Sequence, residues 1–167
     1  MPERPKRKSI RISTLDYSAP GAYFVTICTK DRENLFWLPV GADIIRPQTL
    51  PLSPHGKLVR QAILQIPFHY DHVSVDKYCI MPDHIHLILR IEAAPGGRMV
   101  SAPTISVILG SMKRWVSKQA GRPIWQKSFF EHSIRTQQDY DEIWRYIENN
   151  PLKHLMKRRS PQNGGDL

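Results

Sequence analysis

Apolar positions recur along this chain with two different periods, and the switches between them mark out its elements. Behind the turn signal Ser18-Ala-Pro-Gly21, the run Ala22 to Thr29 (AYFVTICT) is aromatic and β-branched and predicts a strand. Leu38 to Pro54 holds four prolines and a glycine and reads as an irregular excursion. From Pro54 to Ile66 the apolar residues Leu58, Val59, Ala62, Ile63 and Ile66 take helical spacing, which Pro67 should end. His72 to Met81 and His84 to Ile91 are β-like, with Pro82-Asp83 between them as a tight hairpin. Ala93 to Pro103 is a loop. Thr104 to Gln119 carries Ile105, Ile108, Leu109, Met112, Trp115 and Val116 along one side, an amphipathic helix stopped by Gly121-Arg-Pro123. Ile124 to Ile134 predicts a fourth strand region. Gln137 to Asn149 predicts a last helix, closed by Asn150-Pro151.

The order is β-α-β-β-α-β-α. It implies an α+β fold: an antiparallel sheet with helices mainly on one face, of the ferredoxin-like or RNA-recognition type. The 167 residues suit one domain, taken as residues 12–156 between a basic arm (1–11) and a polar tail (157–167).

Composition narrows the function. Lys+Arg is 24 against 15 for Asp+Glu, a formal charge of +9. A pI near 9.8 points to a polyanionic partner, with nucleic acid ahead of an anionic membrane. No apolar run approaches the roughly 18 residues of a membrane helix. The basic start is followed by polar residues and so does not read as a secretory signal. Cys28 and Cys79 lie far apart, each inside an apolar segment, and read as core residues of a reduced, cytosolic protein.

Two segments carry candidate chemistry. In Tyr78 to Arg90 (YCIMPDHIHLILR), strand alternation puts His84 and His86 on one face and Ile85, Leu87 and Leu89 on the other. Two imidazoles about 7 Å apart along a strand can converge on one cation. The plain alternative is a pair of ordinary polar-face residues, and Asp83 either supports a ligand or makes the turn. In Asp139 to Pro151 (DYDEIWRYIENNP), Tyr140, Ile143, Trp144 and Ile147 form one apolar stripe, and Tyr146 lies about 110° from its centre. Packing accounts for Tyr140 but not for Tyr146. Asn150 follows Tyr146 by one turn. Here too the plain reading is a half-exposed aromatic and a helix-end residue.

A phenol with pKa near 10 is a weak nucleophile at neutral pH, and a divalent cation helps by drawing charge from a phosphate. Histidines, an amide and a helical tyrosine are the parts needed to cut a phosphodiester covalently and keep its energy for rejoining. With these residues on view, YCIMPDHIHLIL resembles the HUH (His, hydrophobic, His) motif of single-strand DNA transposases. IWQKSFFEHSIR and DYDEIWRYIENNPLKH, with the opening RKSIRISTLDYSAPGAYFVTICTKDRENLF, resemble the REP-associated tyrosine transposases, within the insertion sequence 200-like group. The similarity runs from about Arg7 to His154.

The resemblance implies an HUH endonuclease core whose central strand carries the histidines. It implies that His84, His86 and Asn150 bind Mg²⁺ or Mn²⁺ and that Tyr146 is the nucleophile. It implies a bacterial cytosolic transposase or nickase that cleaves and rejoins single-stranded, REP-type hairpin DNA through a 5′-phosphotyrosine. Monomer and homodimer both stay open. A catalytically silent hairpin-binding protein is the alternative. An RNA-recognition domain is disfavoured, because the strand that would hold its aromatic signature reads HIHLILR. Candidate phosphate contacts are Arg7, Lys8, Arg11, Lys113, Arg114, Lys118, Arg122, Lys127 and Arg135, with a solvated basic surface as the plain alternative. Trp125, Phe129 and Phe130 are candidate stacking residues that could equally be core, and the role of His132 is open.

Overall fold

The computed structural model describes residues 19–39, 51–93 and 103–159. Its elements are β1 (Gly21–Cys28), a 3-10 turn (Lys30–Arg32), α1 (Pro54–His69), β2 (Val73–Ile80), β3 (His84–Ile91), α2 (Ile105–Ala120), β4 (Phe130–Ile134) and α3 (Gln137–Arg159). The strands form one sheet in the order β2-β3-β1-β4, with every pair antiparallel. This is the ferredoxin-like arrangement expected, and β3, with its histidines, is central. The Arg7, Lys8 and Arg11 arm, most of the proline-rich excursion and the end of the polar tail lie outside the described residues.

Alternation divides the sheet into two faces. Ile85, Leu87 and Leu89 are fully buried, and α1 and α2 supply the apolar stripes that cover that side: Val59, Ile63 and Ile66 from α1, and Ile105, Ile108, Leu109 and Val116 from α2. Burying a side chain of this size contributes about 2 kcal/mol. The opposite face, with His84, His86 and Arg90, meets α3. Two helices therefore share one face and the third lies over the histidines.

Side chains cap the N-termini of both early helices. Ser53 accepts from the Gly56 N–H at 3.0 Å and Thr104 from the Val107 N–H at 3.3 Å. Gly121 ends α2 in the left-handed region at φ 73°. Gly56 is required for another reason: a Cβ there would lie 2.2 Å from the Phe36 carbonyl oxygen.

Three boundaries differ from expectation. Pro67 does not stop α1, which runs on to His69; the proline sits in the last turn, where it forfeits one backbone bond. Pro151 does not close α3 either. The helix continues to Arg159, held by buried Leu155 and by His154 edge-on to Trp37 at 5.4 Å. The polar tail therefore begins inside a helix. The fourth strand starts only at Phe130. Upstream, Ile124 O accepts from Lys30 N–H in the 3-10 turn and Gln126 N–H donates to Cys28 O at the end of β1, both 2.9 Å.

Candidate active site

The site begins as a register. His84 lies opposite Cys28 and His86 opposite Thr26, so β1 and β3 present these side chains to the same face. Thr26 Oγ1 is 2.7 Å from His86 Nδ1, and Asp83 Oδ1 is 2.6 Å from His84 Nδ1. Arg32 Nε donates in turn to Asp83 Oδ2 at 2.9 Å. Phe24, two residues before Thr26, stacks on the His86 ring at 5.4 Å and 25°. With each Nδ1 held by an oxygen, the two Nε2 atoms face one another at 3.1 Å.

That separation fits a shared cation. Two nitrogens each about 2.1 Å from one ion are ~3.0 Å apart at adjacent octahedral positions and ~3.4 Å apart at tetrahedral ones. Without an ion, one proton between the rings satisfies both nitrogens, with the Thr26 hydroxyl donating to Nδ1. Burial, then the charges of His84 and Arg32, push the His86 pKa down to about 3 against an opposing pull from Asp83. His86 is therefore neutral at pH 7, the form that binds metals. Among the described residues, no group of three or more His, Cys, Asp or Glu could hold a metal ion.

Tyr146 comes from α3. It is 48% exposed, as its place off the apolar stripe requires, while Ile147 beside it is fully buried. Its hydroxyl lies 3.5 Å from His86 Nε2, and its ring meets Phe24 edge-on at 6.2 Å and 90°. Several contacts hold α3 on the sheet. Tyr140 Oη donates to Asp76 Oδ2 at 2.9 Å, Lys77 pairs with Glu148 at 3.2 Å, and His132 pairs with Asp139 at 2.8 Å. Tyr140 is thus committed. Burial, together with the Asp76 contact, raises its pKa.

A family profile described as "Transposase IS200 like" matches residues 22–150. The chain belongs to that family. It is 32% identical over 165 residues to an uncharacterised protein of Haemophilus influenzae, covering 87% of this chain and 88% of the relative. It is 29% identical over 143 residues to the REP-associated tyrosine transposase of Escherichia coli K12, covering 83% and 70%. A solved REP-associated tyrosine transposase bound to a REP hairpin superposes with a TM-score of 0.60 at 22% identity, over 92% of this chain and 74% of that one. The resemblance read from the histidine strand and the last helix is borne out.

Within this IS200-like transposase, the structure brings together His84, His86 and Tyr146. Asn150 lies half-buried one turn beyond Tyr146, and its side chain bonds no other described residue. The basic candidates divide. Lys113 is turned inward, donating to Gln126 O at 2.6 Å and Lys127 O at 3.2 Å, and burial lowers its pKa. Arg122 forks onto Glu33 at 3.1 and 3.2 Å. Arg114, Lys118, Lys127 and Arg135 are exposed and form no ion pair among the described residues. Trp125 is buried against Phe36 at 5.3 Å and Phe129 is half-buried, while Phe130 is 46% exposed, 6.3 Å from Phe24.

Sequence reasoning missed Thr26, Phe24 and Arg32. Pairing β1 with β3 would have found the first two, because both lie on the histidine face. Arg32 carries no periodic signal. No helix among the described residues is long and apolar enough to cross a membrane.

Proposed function

We propose that this transposase cuts and rejoins single-stranded DNA with Tyr146 as nucleophile beside a cation held by His84, His86 and Asn150. One observation carries the reading: the Tyr146 hydroxyl is 3.5 Å from His86 Nε2, which is itself 3.1 Å from His84 Nε2. A bound Mg²⁺ or Mn²⁺ would draw charge from the scissile phosphate and its leaving oxygen. The residues do the rest. Asp83 and Thr26 hold the imidazoles, and Phe24 backs the His86 ring. Tyr146 Oη attacks phosphorus, the P–O3′ bond breaks, and the departing 3′ oxygen takes a proton from water to become a hydroxyl. Water reaches the half-exposed tyrosine and takes the phenolic proton.

The product is a 5′-phosphotyrosine, which a second 3′-hydroxyl reverses. Similarity to a solved transposase bound to a REP hairpin, together with the basic surface, supports hairpin DNA as the substrate. The test incubates 3′-labelled hairpin oligonucleotides from repeats flanking the gene with the protein, in Mn²⁺ or EDTA. Mn²⁺ should give a free 3′-hydroxyl fragment and leave the label on the protein; EDTA should give neither. Tight binding with no cutting in either buffer would favour the silent hairpin-binding reading.

A further inference from the structure

We infer that Arg32 is a phosphate-contact residue: the 3-10 turn after β1 presents its guanidinium to a phosphate of the strand lying across the histidine pair. The inference rests on the nucleic-acid reading above and adds a residue to it. Three observations carry it.

The first is backbone conformation. Asp31 and Arg32 both take left-handed values, φ 54° and 58°, which side chains with a Cβ rarely adopt. Strain of this kind persists where surrounding structure imposes it and gathers at functional sites. The second is the anchor. Thr29 is fully buried, its N–H donates to Asp83 O at 2.9 Å, and its hydroxyl lies 2.8 Å from Glu33 O and 3.0 Å from Asp83 O. Leu35 and Phe36 N–H both bond Pro82 O, at 2.9 and 3.0 Å. The strained turn is therefore fastened to the hairpin that starts the histidine strand.

The third is the guanidinium itself. Nε donates to Asp83 Oδ2 at 2.9 Å and Nη1 to Cys28 Sγ at 2.6 Å. Its other donors are uncommitted among the described residues, and the side chain is 51% exposed. Asp83 touches His84 Nδ1 at 2.6 Å, so one carboxylate separates this charge from a metal-site histidine. A planar fork fixed on one edge and open on the other suits a phosphate. A pure strut for Asp83 would not need the open edge.

The experiment measures binding of a fluorescent hairpin oligonucleotide in EDTA, where no strand is cut. The oligonucleotide carries single neutral methylphosphonates, scanned one position at a time along its unpaired segment. Wild type should lose about tenfold at each contacted phosphate. Arg32→Gln should bind about tenfold more weakly, lose about 0.7 from the slope of log K against log salt, and be indifferent to one methylphosphonate that hurts wild type. Arg60→Gln removes an exposed charge from α1, on the other face of the sheet, so its slope should stay at the wild-type value.

If Arg32→Gln retains the full slope and every wild-type sensitivity, Arg32 is only a support for Asp83 and the inference is overturned. If wild type binds no hairpin at all, the nucleic-acid reading goes with it. If wild type binds and only the Arg32 coupling is missing, that reading stands and this one does not.

Discussion

At the scale of residues, the site depends on which atom of each imidazole is already taken. Asp83 and Thr26 hold the two Nδ1 atoms, and that alone turns both Nε2 atoms toward one point. Removing the Thr26 hydroxyl should leave the His86 ring free to turn. Thr26→Val is expected to weaken Mn²⁺ binding by about 10- to 100-fold, read by titration calorimetry. Unchanged affinity would mean that Thr26 does not orient the ligand. A second expectation concerns Cys79, whose thiol is pushed up to about 12 by burial, against smaller lowering contributions from the His86 backbone and Lys77. A pKa raised in the folded state gives stability that is present below the unfolded value of 9.0 and is lost as pH rises toward 12. Native protein at pH 8 should therefore resist iodoacetamide at Cys79, with labelling appearing only on unfolding. Mass spectrometry of the Cys79 peptide checks this.

At the scale of elements, the informative cases are the two prolines that failed to end helices. Local sequence makes each a stop. What overrides it is tertiary packing, which no local window contains. Ile143, Ile147 and Leu155 keep one stripe buried through the Pro151 turn. Leu155→Ala should accordingly cost about 2–3 kcal/mol in chemical denaturation. A change near zero would mean that the last turns are not docked. Gly56 makes the complementary point at the start of α1, where backbone approaches backbone. Gly56→Ala would drive its methyl into the rigid Phe36 carbonyl and should destabilise by about 2 kcal/mol in the same assay. By contrast β3 was legible to the residue, because a period of two flanked by a Pro-Asp turn leaves one register.

At the scale of the whole molecule, the net charge of +9 indicated a polyanionic partner but not which cations meet it. The fold sorts them. Arg122 is neutralised by Glu33 and Lys113 is spent on carbonyls, whereas Lys118 is exposed and without an ion pair among the described residues. In salt titrations of hairpin binding, Lys118→Ala should lower the slope by about 0.7 and Arg122→Ala should leave it nearly unchanged. Equal effects would show that static pairing does not predict the contact surface. The meeting of His84, His86 and Tyr146 was legible in part. Periodicity placed each on its face, but only the sheet order and the packing of α3 bring residues 60 apart in sequence within 3.5 Å. Arg32 lay beyond reach, because a left-handed turn between two charged residues leaves no pattern in composition or period.

In the proposed covalent step Tyr146 Oη is the nucleophile. The most direct measurement is tryptic mass spectrometry of the protein after reaction with hairpin DNA and Mn²⁺, followed by nuclease trimming. A nucleotide phosphate on Tyr146, absent in EDTA and in His86→Ala, is the predicted result. The same mass on Tyr140 or on any other residue, with Tyr146 unmodified, would contradict it.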